Sequence, residues 1–134
     1  MLSWDSKQGS QFLRVDPVIE ESQFSGPQFT FEFPVADLVA RLVIYPREYD
    51  VWLRLFPRGS EEEVVTWRST CARITFNDEI EEEGGPCLVF QARLPDDIAA
   101  RPRHPLHWLV IGRRSDTFSL GSFFLREHEK LRDT

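Results

Sequence analysis

The sequence predicts an all-β fold: a single-domain antiparallel β-sandwich, or a partly closed barrel, of about eight strands with at most one or two short helical turns. Three observations predict it. Apolar and polar residues alternate over short stretches, most clearly where Phe29, Phe31 and Phe33 oppose Gln28, Thr30 and Glu32. Pro and Gly punctuate these stretches at short intervals. The length of 134 residues suits one domain, and 41% hydrophobic and 13% aromatic residues supply a core. One domain over residues 1–134 is therefore expected, with 1–10 and 127–134 as flexible termini.

Taken in order, Gln11 to Val15 reads as a first short strand. Gln28 to Phe33 follows, closed by Pro34. Val35 to Tyr45 is ambiguous, since Val35, Leu38, Val39 and Leu42 suit a helical face while Ala40 to Tyr45 suits a strand; it reads as a turn and then a strand ending at Pro46. Val51 to Phe56 puts Val51, Leu53 and Leu55 on one face and Trp52, Arg54 and Phe56 on the other, with Pro57-Arg58-Gly59 as its stop. Val64 to Phe76 is the longest segment. Val65, Trp67, Ser69 and Cys71 share one face, but Ala72, Ile74 and Phe76 have the opposite parity, so a bulge is expected near Ser69 to Cys71. Cys87 to Leu94, His107 to Gly112 and Thr117 to Arg126 complete the series, with Arg113-Arg114 in a turn. Pro95 to Ala100 suits one helical turn, and Glu127 to Thr134 a short helix or frayed tail.

Composition narrows the function. A net charge of -6 and a pI near 5.1 argue against general nucleic-acid binding. No apolar run has the length of a membrane span, and the first thirty residues lack a signal peptide's apolar middle. Two cysteines, Cys71 and Cys87, are too few for a disulfide scaffold. A bridge between them looks out of register, so a cytoplasmic protein with two free thiols is expected. Basic residues are 14 Arg against Lys7 and Lys130, a choice explained by genome composition, ion pairing or planar recognition.

Sites of chemistry are few. His104 and His107 are three apart, but Pro105 and the strand that follows separate their faces, so no metal and no cofactor is expected. Asp96 and Asp97 with His104, His107 or His128 supply acid and base types, yet no nucleophile elbow, phosphate loop or zinc-helix motif accompanies them. The protein is expected not to be an enzyme. Arg101, Arg103, Arg113 and Arg114 form a basic side, expected to pair with the chain's own acidic loops.

Two acidic runs flank the longest strand: Glu61 to Glu63, and Asp78, Glu79, Glu81, Glu82 and Glu83. A straight strand of that length sets them roughly 40 Å apart. The second run suits steering of a basic protein. Trp52, Arg54 and Phe56 form the other candidate, since an exposed Trp, Phe and Arg group has the composition of an interface hot spot. The opposing possibility is that another layer covers this face.

Ala40 to Pro46, with Arg41-Leu42-Val43-Ile44-Tyr45-Pro46, and then Val51-Trp52-Leu53-Arg54-Leu55, resembles a strand pair of the MATH domains. These are eight-stranded sandwiches that bind peptides, and the resemblance implies a sandwich here.

The function expected is a non-enzymatic protein-binding module, of inhibitor, immunity or adaptor type. It would dock through Trp52, Arg54 and Phe56 or through Glu81, Glu82 and Glu83. The partner is a protein, basic if the acidic run is used, and a homodimer through an open face or edge remains in view. Two alternatives stand beside it: a β-barrel holding a small apolar ligand against Phe29, Phe31 and Phe33, and a small hydrolase using Asp and His.

Overall fold

The computed structural model describes residues 1–77, 86–92, 108–114 and 117–121. Within them lie one helix, α1 (Ser6–Leu13), a 3-10 turn (Pro46–Glu48) and eight strands. The strands are β1 (Val18–Ser22), β2 (Gly26–Val35), β3 (Leu38–Tyr45), β4 (Asp50–Pro57), β5 (Val65–Asn77), β6 (Cys87–Ala92), β7 (Trp108–Arg114) and β8 (Thr117–Gly121). The all-β, antiparallel class and the number of strands agree with the sequence. The chain divides into two compact units, Met1–Cys71 and Ala72–Thr134, with β5 running across the division.

In the first unit, β1 to β5 pair in sequence order as an antiparallel meander. The connection from β2 to β3 favours this order, because a two-residue turn returns the chain beside the strand it has just left. Val35 pairs with Leu38, leaving Ala36 and Asp37 as the turn, with Ala36 left-handed at φ 52°. One face holds the core. Phe31, Leu42, Leu53 and Trp67 form one row across β2 to β5, and Phe29, Ile44, Val51 and Ser69 the next. Phe31, Leu42, Ile44, Val51, Leu53 and Trp67 are buried. The Trp67 Nε1 is buried without a hydrogen-bond partner, a deficit of about 1–3 kcal/mol.

Helix α1 contributes to this core. Asp5 caps it, its carboxylate accepting from the amides of Lys7 at 3.0 Å and Gln8 at 3.1 Å. Gly9, Phe12 and Leu13 are buried, and Arg14 ends the helix in the left-handed region at φ 57°. The Trp4 ring meets Phe31 edge-on at 5.6 Å. A Cβ on Gly9 would fall 2.5 Å from Trp4 Cζ2 and 2.7 Å from Cη2. Gly9→Ala is therefore expected to destabilise the protein by about 1–3 kcal/mol, although alanine is the better helix former. Urea unfolding checks the sign, and a gain in stability would mean that the Trp4 seat is loose.

Gln11 to Val15 was expected as a strand; it is instead the end of α1 and its left-handed stop. Phe12, Leu13 and Val15 alone do not reveal a helix whose middle holds a glycine. The first strand is β1, whose residues are all exposed and therefore lack apolar alternation. Pro34 does not close β2, which runs on to Val35. In β5 Trp67 and Cys71 are buried; Ala72, expected on the second apolar face, is exposed, and Ile74 and Phe76 are half-buried.

In the second unit, β6, β7 and β8 form another meander, with Leu88 opposite Ile111 and Phe90 opposite Leu109. Leu88, Phe90, Ala92, Leu109, Ile111 and Phe118 are buried. Arg113 and Arg114 lie within β7, not in a turn, and the Arg113 amide donates to the Pro86 carbonyl at 3.0 Å. Arg101, Arg103, His104, His107, Asp96, Asp97, His128 and the elements expected at 95–100 and 127–134 lie outside the described residues.

Candidate binding face

The strand alternation that buries Val51, Leu53 and Leu55 sends Trp52, Arg54 and Phe56 to the opposite face. Pairing then decides their neighbours. Val43, Trp52 and Arg68 form one row across β3 to β5, and Glu32, Arg41, Arg54 and Thr66 another across β2 to β5. Arg41 opposite Arg54 juxtaposes like charges, normally a destabilising cross-strand pair. Carboxylates on either side relieve it. Arg41 Nε donates to Glu32 Oε1 at 2.8 Å and Arg54 Nε to Glu63 Oε2 at 3.3 Å.

Guanidinium planes and rings alternate along the face. Arg41 Cζ lies 4.9 Å from the Phe56 ring centre, and Arg54 Cζ lies 4.9 Å from Phe56 and 4.5 Å from Trp52. Arg68 Cζ sits 4.8 Å from Trp52. Asp50 grips Arg68 from two directions, accepting from Nη2 at 2.7 Å and from Nε at 3.2 Å. The hydrogen bond and charge of Asp50 hold the Arg68 guanidinium more firmly protonated than usual. Trp52 Nε1 donates to Thr66 Oγ1 at 2.8 Å, which fixes the indole plane.

Three arginines and three carboxylates leave this face balanced in charge. Each exposed cation–π contact contributes about 0.5–1 kcal/mol and each surface ion pair no more than about 1 kcal/mol. Their joint effect is rigidity: Trp52 and Arg54 are half-exposed, with their planes already set. Phe56 differs from the exposed position expected of it. It is 4% exposed, because Arg41 and Arg54 stack over it. It supports the guanidinium planes from beneath. The sequence reading missed Arg41, Arg68, Thr66, Glu32, Glu63 and Asp50. Their parity and the tight turn at Ala36-Asp37 carried the signal for the Glu32 and Arg41 pair; Asp50, Glu63 and Arg68 required the register of β4 on β5.

Glu63, from the first acidic run, is thus an ion-pair partner of Arg54. Glu81, Glu82 and Glu83 lie outside the described residues. Cys71 and Cys87 are reduced cysteines, Cys71 buried and Cys87 half-buried. Burial, with a lesser push from the Asp50 charge, raises the Cys71 thiol to about 12. Among the described residues no cluster of His, Cys, Asp and Glu is arranged to hold a metal ion. Nor is any described helix long and apolar enough to cross a membrane.

The class this geometry defines is an antiparallel all-β protein with a stacked arginine–aromatic sheet face. No protein-family model matches the chain, and the MATH resemblance gains no support from that comparison. No curated protein matches it either. Among solved structures, the chain is similar to one chain of the "Contact-dependent growth inhibition toxin - immunity protein complex from Klebsiella pneumoniae 342". The TM-score is 0.63 at 10% identity, over 90% of this chain and 94% of that chain. The likeness is one of fold.

Proposed function

We propose that the protein is a non-enzymatic binding module of immunity type, which captures a toxin protein and docks through Trp52 and Arg54 with Phe56 beneath them. The observation that carries this reading is the half-exposed Trp52 with the Arg54 and Arg68 guanidinium groups 4.5 and 4.8 Å from its ring centre. Trp and Arg dominate interface hot spots, and a side chain fixed before binding loses little entropy when a partner covers it. The fold likeness to a chain of a toxin–immunity complex supports the same reading. Glu81, Glu82 and Glu83 belong to the proposal as the run that steers a basic partner. Two reduced cysteines suit a reducing, cytoplasmic setting.

The test starts with a native mass spectrum of the protein purified gently from its own source. A stoichiometric second chain is expected, one that arrests growth when expressed alone and is tolerated when this protein is co-expressed. Trp52→Ala should weaken that complex about 30-fold, a hot-spot loss of about 2 kcal/mol, with the circular dichroism spectrum retained. A bare monomer, or a complex indifferent to Trp52→Ala, would sink the assignment of this face.

A further inference from the structure

The edge of the first unit carries a second surface. Strand β1 pairs with β2, from Val18 opposite Thr30 to Ser22 opposite Gly26, and sits at the end of the strand order. Every residue of β1 is exposed, so its outer row of amides and carbonyls faces solvent. The exposed large apolar side chains concentrate here. Val18 is 61% exposed, Ile19 56% and Phe24, in the turn after β1, 89%.

That turn is built firmly. The Ser22 hydroxyl accepts from the amides of Phe24 at 3.2 Å and Ser25 at 3.4 Å. Gly26 closes it at φ 71°, against the Arg47 side chain. Phe24 is thus held out beside the free edge by its own backbone. Soluble proteins usually blunt such an edge with short strands and charges. Arg47 aside, the charges carried by this segment itself have one sign. From Asp16 to Gln28 the chain holds Asp16, Glu20 and Glu21 and no basic residue.

We propose that the β1 edge takes up an extended, basic segment of a protein partner as an added strand. Main-chain hydrogen bonds would supply affinity, Val18, Ile19 and Phe24 the apolar contacts, and Glu20 and Glu21, on opposite faces of the strand, the preference for Lys or Arg at consecutive positions. A second copy of this chain fits less well. Two β1 strands paired antiparallel about Glu20 place Glu20 against its own counterpart and Ile19 against Glu21. The inference rests on the backbone edge of β1, three strands from Trp52 on β4.

The probe is a valine heptapeptide with a central Lys-Lys pair, added to the full, isotope-labelled chain at low salt, with the same peptide carrying a central Glu-Glu pair as control. The lysine peptide is expected to move the amide resonances of Val18 to Phe24 and to leave those of β4 in place. Its affinity should fall as salt rises, and a Glu20→Lys, Glu21→Lys double variant should weaken it at least tenfold; both residues are exposed, so the variant folds. Trp52→Ala should bind the peptide unchanged, which separates this outcome from failure of the Trp52 face. Equal binding of the glutamate peptide, shifts that avoid β1, or no shift at millimolar peptide would overturn the proposal. So would a dimer in solution that Ile19→Lys breaks, since the edge would then belong to a second copy.

Discussion

Phe31→Ala is expected to cost about 3–5 kcal/mol of folding stability, close to the whole of what a small domain has in hand. Phe31 is fully buried and opposes Leu42 across the strand pair. The Trp4 ring packs edge-on against it, and Gly9 approaches from α1. Alanine would leave a cavity beneath α1 and the Trp4 ring, and a close-packed site of this kind collapses only in part. Urea unfolding followed by tryptophan fluorescence reads the loss as a lowered midpoint at constant slope. Phe24→Ala is the control. It removes an equally large ring that is 89% exposed, and should change stability by less than about 0.5 kcal/mol. Similar losses in the two variants would mean that β2 does not bury Phe31 in solution.

A second large effect is expected at alkaline pH, from Cys71. Its thiol is raised from an ordinary 9.0 to about 12 by burial, with the Asp50 charge adding to it. A raised acid favours the protonated form in the folded state. Below the unfolded value of 9.0 both states hold the proton, and the contribution is fully present. Above it the unfolded chain ionises while the native thiol does not, so stability falls until the native group also titrates near 12. The slope approaches about 1.4 kcal/mol per pH unit. Between pH 8 and 10.5 the protein should lose about 2 kcal/mol more than Cys71→Ala does, other alkaline titrations being common to both. Parallel pH profiles would show Cys71 to be solvated. A disulfide-exchange reagent should likewise modify half-buried Cys87 in the native protein and reach Cys71 only on unfolding.

Much of the fold was legible because two of its signals are local. β2 and β4 declare themselves by alternation, while β3, with Leu42, Val43 and Ile44 all buried, is ambiguous by period and is marked by Pro46 at its end, as Gly59 marks the end of β4. The misread elements lack that signal. β1 is exposed throughout, so burial imposes no pattern on it. α1 carries Gly9 in its middle for a reason 22 positions away along the chain: Trp4, packed on Phe31, occupies the space a side chain would need. A residue chosen for a long-range contact looks locally like a helix breaker.

The candidate face divides the same way. The sequence by itself determined that Trp52, Arg54 and Phe56 share a face opposite Val51, Leu53 and Leu55, because a strand's side-chain period is two whatever surrounds it. It also determined the acidic balance and the all-β class. Only the tertiary structure decided what those three residues are. Cross-strand register brought Arg41 and Arg68 to the rings and Glu32, Glu63 and Asp50 to the guanidinium groups, covering Phe56 while leaving Trp52 half-exposed. The physical reason is that exposure belongs to neighbours: period follows from one strand's backbone, but burial is set by side chains that arrive from three others.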